Sequence, residues 1–225
     1  LRVGVQPNID EGANLLGPQA VDFPVSLTYA SAVPVTVDFA TSNGDEIQDL
    51  VVTGTPTSGQ FYFQLDGAQS GPLDWPDVTA AHVQAALETI SALAGNVTVV
   101  GDLNSGTATV TFGGTLGGTN VSELVPVQGS LNGGSSIEVT TVSEAASSGD
   151  DYDAASGTLT FAPGVTSQLA TVTVNDDVVL ESDETFFVTL DPNSVTKNGA
   201  ADTNATVGGP GVGTIIDNEL PPDEY

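Results

Sequence analysis

The chain has 225 residues, 39% of them apolar, with 26 glycines, 13 prolines and no cysteine. Its 29 acidic residues face only Arg2 and Lys197, a formal charge of −27, which excludes nucleic acid and repels anionic membrane faces because both carry the same sign. With no cysteine and His82 as the one histidine, disulfides, thiolate metal sites, histidine-rich zinc sites and His-dependent triads are out of reach.

In chain order, Leu1 to Val5 reads as a short strand. Val21, Phe23, Val25 and Leu27 alternate with polar residues, with Pro24 on the outward phase, and Val35, Val37 and Phe39 repeat the pattern. The texture then changes. Residues 79–93 (TAAHVQAALETISAL) predict a helix, with Thr79 as N-cap, one apolar face of Val83, Ala86, Leu87, Ile90 and Leu93, and Gly95 as terminator. Strand patterns flank it at Asp49–Thr53, Gln60–Leu65, Val97–Val100, Thr107–Phe112 and Ile137–Val142. Alternation like that of the first segment resumes at Leu159 and Phe161, at Ala170, Val172 and Val174, and at Phe186, Val188 and Leu190, and Val212 to Ile216 closes the chain's strands.

The reading is a mainly β chain: a seven-stranded immunoglobulin-like sandwich from residues 1–44 and 148–220, interrupted by a small α+β domain over 45–147, with 221–225 as a tail or linker. No stretch approaches the ~18 apolar residues of a membrane span. Starting at Leu1 and holding no methionine, the chain reads as a processed protein or an excerpt of a longer one.

Five motifs lie in order outside the interruption: IDEG, PVTVDFATSNG, GDDYDAASGTLTFAPG, VTVNDDVVLESDETFFVTL and GTIIDNE. Together they resemble a Calx-β domain, the calcium-binding sandwich of sodium–calcium exchangers and of many bacterial surface proteins. The inserted stretch (GTPTSGQFYFQLDG, VTAAHVQAALETI, NVTVVG) is similar to a segment repeated in very large secreted bacterial proteins. The first resemblance implies calcium at one end of the sandwich. Its ligands would be Glu11 of IDEG, Asp151 before Tyr152, Asp176, Asp177 and Glu181 of NDDVVLESDE with the Val179 carbonyl, and Asp217 and Glu219 of the closing motif. Val178 and Asn218 stand where exchangers carry further acids, which implies one or two ions rather than a larger cluster.

Physical chemistry points the same way. Calcium takes six to eight oxygens, and converging carboxylates repel one another unless a cation joins them. The resulting expectation is a non-catalytic, extracellular, calcium-binding structural or adhesive module: a subunit of a cell-surface filament or a repeat of a large adhesin. Its partners would be neighbouring copies or adjacent domains, meeting through Leu1–Gln6 and Leu220–Tyr225, with cell-surface glycans a further candidate. A calcium-responsive regulatory or carbohydrate-binding module is the alternative, and Trp75, Tyr62 and Phe63 would be its sugar platform. A carboxylate-pair glycosidase is the remaining enzymatic reading.

Overall fold

A computed structural model describes residues 1–4, 9–10, 17–176 and 179–217. The chain divides into two compact units, one built from Leu1–Gly44 and the segment from Ala146 onward, the other from Asp45–Ala145. Across the described residues the architecture is mainly β, with a single α-helix.

The first unit is a sandwich. One sheet orders Arg2–Val3, Gln19–Ser26, Ser167–Val174 and Tyr152–Asp153. In the other, Val35–Asn43 pairs with Ser156–Phe161 and with Glu184–Leu190, and Glu184–Leu190 pairs in turn with Gly211–Ile216. Alternation drives the assembly. Phe23, Val25, Ala170, Val172 and Val174 point inward from the first sheet, and Val37, Phe161, Phe186, Val188 and Ile215 meet them from the second. The centre is aromatic: Phe186 meets Phe23 edge-on at 5.6 Å and stacks on Tyr152 at 4.7 Å. The Tyr152 hydroxyl donates to Asn43 Oδ1 at 2.8 Å, so the buried ring keeps a partner for its polar end. Gly213 lies over the Phe186 ring, where a Cβ would sit 2.4 Å from it, so only glycine lets the closing strand pass.

The seven expected strands are present, the first only as Arg2–Val3 with Val5 outside the described residues, and the described residues add four two-residue segments at Ile9–Asp10, Tyr152–Asp153, Thr196–Lys197 and Ala200–Ala201. Two residues show no periodicity, so pairing rather than pattern makes these strands. Ile9–Asp10 runs parallel to Gly211–Ile216, with Ile9 opposite Ile215 and Asp10 opposite Ile216. Pro24 is exposed, as its outward phase requires, and its carbonyl accepts the Gly4 N–H at 2.7 Å.

In the second unit, Ser136–Ala145, Ile47–Thr53, Thr107–Phe112 and Val97–Asp102 form consecutive antiparallel pairs. Gly59–Leu65 pairs separately with Val125–Val127, Ala68–Gln69 and Leu73–Trp75. The helix spans Ala80–Leu87, shorter than the predicted 79–93. The Ala86 carbonyl is occupied by the Gly71 and Thr89 N–H groups and by the Thr89 hydroxyl, and Ile90 turns its N–H to Leu87. The four-residue ladder therefore stops, although Ile90 and Leu93 stay buried through the following turns. Thr79 occupies the N-cap position, but its hydroxyl faces His82 Nδ1 at 3.2 Å instead of a helix N–H. His82 also pairs with Asp77 at 2.7 Å on the surface. Phe63 is fully buried and Trp75 packs against the same core, so the expected sugar platform does not form. A platform needs several exposed ring faces; Phe63 has none, Trp75 leans on the core, and Tyr62 is half-buried on the opposite phase of its strand from Phe63.

Glu46 is buried in this unit, its carboxylate accepting from Gln48 Nε2 and from the Val121 N–H, while Gln48 Oε1 accepts from Leu124 N–H at 2.9 Å. Burial pushes the Glu46 carboxyl above its usual value of 4.5, and its two hydrogen bonds only partly offset this. A raised folded value means that the folded state holds the proton more tightly. The associated stability is present at low pH and is lost as pH rises from the ordinary carboxylate value through the raised one. Glu46→Gln should therefore gain on the native chain as pH climbs through that window. Denaturant unfolding of both proteins across the range checks this, and a constant difference between them would contradict it.

Candidate metal centre

Three carboxylates converge at one end of the sandwich. One oxygen each from Asp151, Glu181 and Glu184 lies within 4.8 Å of the others, and Asp151 and Glu184 are buried while Glu181 is exposed.

Local structure fixes Asp151 and Glu184. Asp151 accepts the Ser147 N–H on its side chain and returns its own N–H to the Ser147 carbonyl at 3.0 Å, closing a tight loop. Tyr152 follows directly, and its stacking on Phe186 anchors the loop to the core. The Asp151 carbonyl accepts Asn175 N–H at 2.9 Å, and Asn175 Nδ2 reaches the Asp150 carbonyl at 3.0 Å. Those bonds tie the Asp151 loop to the end of Ser167–Val174. Glu184 opens the strand Glu184–Leu190, opposite Ile215 near the end of Gly211–Ile216.

Glu184 is the residue that sequence reasoning missed. It belongs to the inward phase of ETFFVTL, with Phe186, Val188 and Leu190, and all four are buried. A carboxylate in register with a core stripe was the signal. It stands as the last acid of NDDVVLESDE, where the resemblance assigns ligands only to Asp176, Asp177, Val179 and Glu181.

The expected ligands distribute as follows. Asp151 and Glu181 stand in the group. Asp176 does not, although it follows Asn175 directly and its Oδ1 is buried with no hydrogen-bond partner among the described residues. Val179 is exposed in the same loop as Glu181. Asp217 is half-buried, one residue beyond Ile216 and outside the 4.8 Å group. Glu11, Asp177 and Glu219 lie outside the described residues.

The donor set fits a hard divalent cation. Two unit charges 4.8 Å apart repel by roughly 3–4 kcal/mol at an effective dielectric of about 20. The only permanent cations on side chains are Arg2 and Lys197, and neither belongs to the strands or loops that hold the group. Oxygens within 4.8 Å of one another can share an ion that binds oxygen at 2.3–2.6 Å. Magnesium, which demands a smaller octahedral shell and holds its water, is less suited to a carboxylate cluster of this kind.

The Calx-beta domain family matches residues 116–216 by sequence. That match covers the sandwich from Ala146 to Ile216 and enters the second unit. It leaves out the N-terminal strands, which the intervening unit separates from the rest. Among solved structures, the crystal structure of CBD12 from CALX1.2 aligns over 96% of this chain at 14% identity and a TM-score of 0.37. This chain spans 43% of the length of that one. No curated protein matches. Among the described residues no helix is long and apolar enough to cross a membrane.

Proposed function

We propose, from the premise that this chain carries a Calx-beta domain, that it is a calcium-binding module whose ion is held by Asp151, Glu181 and Glu184. The observation that carries this reading is the convergence of two buried carboxylates and one exposed one from separate segments. Asp176, next to the Asn175 that bonds the Asp151 loop, and Asp217, next to the end of Gly211–Ile216, would complete the shell with water. The role is structural. The ion joins the Asp151 loop, the loop bearing Glu181 and the Glu184 strand, so occupancy stiffens one end of the sandwich.

An extracellular setting suits such a site. External calcium is abundant, and extracellular modules bind it at about 10⁻⁴–10⁻³ M. A chain without cysteine gains from a metal the cross-linking that disulfides give other secreted domains. A structural or adhesive part, as a repeat in a surface protein or a unit of a filament, follows from that setting and from the acidic surface.

Calorimetric titration with calcium chloride tests the proposal. A saturable heat for one or two ions per chain is expected, with magnesium binding more weakly. A featureless titration would reject it.

A further inference from the structure

The two basic side chains of the chain both stand at the end of the sandwich remote from the carboxylates. Arg2 pairs with Ser26, which pairs with Ser167, the first residue of the strand that runs to Val174 and the Asn175–Asp151 bond. Lys197 pairs with Val35, the first residue of the strand that runs to Asn43, the partner of the Tyr152 hydroxyl. Both strands thus start at a cation and finish at the acidic end. Among the described residues, neither Arg2 nor Lys197 joins an ion pair, in a chain of formal charge −27.

Lys197 lines an open cavity of about 280 Å³ together with Leu1, Leu27, Tyr29, Val35 and Val195. Asp202 also borders it, its carboxylate capping the Asn204 N–H at 3.2 Å. Tyr29 is 84% exposed, the most exposed large apolar side chain among the described residues. Arg2 borders a neighbouring recess with Gly208 and Pro210, and the Gly208 N–H donates to the Leu1 carbonyl at 2.7 Å. An apolar hollow beside unpaired cations suits an acidic ligand that also carries apolar side chains.

Residues 218–225 have that composition. NELPPDEY places Glu219, Asp223 and Glu224 around Leu220, Pro221, Pro222 and Tyr225. The prolines lack N–H groups and favour an extended polyproline conformation, which suits a groove rather than an added strand. This segment follows Asp217, at the carboxylate end. Eight residues reach at most about 26–29 Å, and Ser167–Val174, eight residues long, already covers roughly 27 Å at ~3.4 Å per residue. Return to its own cavity would consume the whole segment, whereas the cavity of a copy placed against the carboxylate end lies within easy reach.

We infer that the cavity around Tyr29 and Lys197 receives residues 218–225 of a second copy of this chain. Such a contact is head-to-tail: donor and acceptor are opposite ends of one molecule, so it repeats into an open chain unless a rotation closes it. It uses none of Asp151, Glu181 and Glu184, and a test in chelator, where Glu219 and Asp217 hold no ion, keeps its outcome separate from that of the calcium proposal.

The test uses a labelled peptide of residues 217–225 and the full chain in chelator at low salt, with sedimentation of the full chain and of the chain lacking 218–225. The peptide should bind and weaken as salt rises. Lys197→Glu should reduce its affinity about tenfold or more, the change expected for reversing one charge in such a contact. Tyr29→Ala, an exposed position, gives a second variant that leaves folding intact and should weaken binding likewise. The full chain should self-associate with concentration, and the shortened chain should remain monomeric while still binding peptide. Binding only to the shortened chain, with the full chain monomeric, would place the segment in its own cavity and overturn the proposal. Absence of peptide binding, or affinity unchanged by both variants, would also overturn it.

Discussion

Calcium at 10–100 times its dissociation constant should raise the unfolding midpoint of the sandwich by roughly 5–15 °C over the same protein in chelator. A ligand that binds only the folded state adds about 1.4–2.7 kcal/mol at 10–100 times its dissociation constant. For units between the ~100- and ~150-residue classes, one kcal/mol moves the midpoint by roughly 3–6 °C. The control matters because a chain of formal charge −27 gains stability from any salt through screening of its self-repulsion. Sodium chloride at matched ionic strength should therefore give a smaller shift, and magnesium an intermediate one. Scanning calorimetry reads all three. Equal shifts in calcium and in sodium chloride would mean that the carboxylates respond to screening alone.

Glu184→Gln should change stability in opposite directions with and without the ion. In chelator, the substitution removes one of two charges held within 4.8 Å of each other inside the protein, and should raise stability by about 1–3 kcal/mol. In calcium, it removes a ligand, and affinity should fall tenfold or more. The melting curves of the variant in the two conditions should nearly coincide, lying above the native apo curve and below the native calcium curve. Glu181→Gln should lose calcium response with little apo gain, because Glu181 is exposed and its charge is already solvated. If Glu184→Gln proves less stable than the native chain in both conditions, its carboxylate serves packing and hydrogen bonding rather than an ion.

The strands of the sandwich are legible because each long one alternates inward and outward residues, so Phe23 and Val25, or Phe186 and Val188, announce their face before any contact is known. What escaped has physical causes. The two-residue strands are created by neighbours that exist only in the fold. The helix ends early because Gly71, distant in sequence, takes the Ala86 carbonyl. Thr89, which takes the same carbonyl, was readable only as an ordinary helix residue.

The acidic group was legible in part. Asp151 is marked by the tyrosine that follows it, and Glu181 by its acid-rich loop. Glu184 was hidden because strand phase, which places its carboxylate inside, was applied only to apolar residues. Asp176 and Asp217 occupy the chain positions expected from the motifs, yet their carboxylates stand outside the tightest group. Motif spacing places a residue on a loop, whereas loop geometry decides where its oxygens point.

The most direct test is the calcium titration run side by side on the native chain and on Asp151→Asn/Glu184→Gln, after calorimetry shows that the variant is folded. The expected result is saturable binding to the first and none to the second. Equal binding by both would place the ion elsewhere and remove the basis of the proposed function.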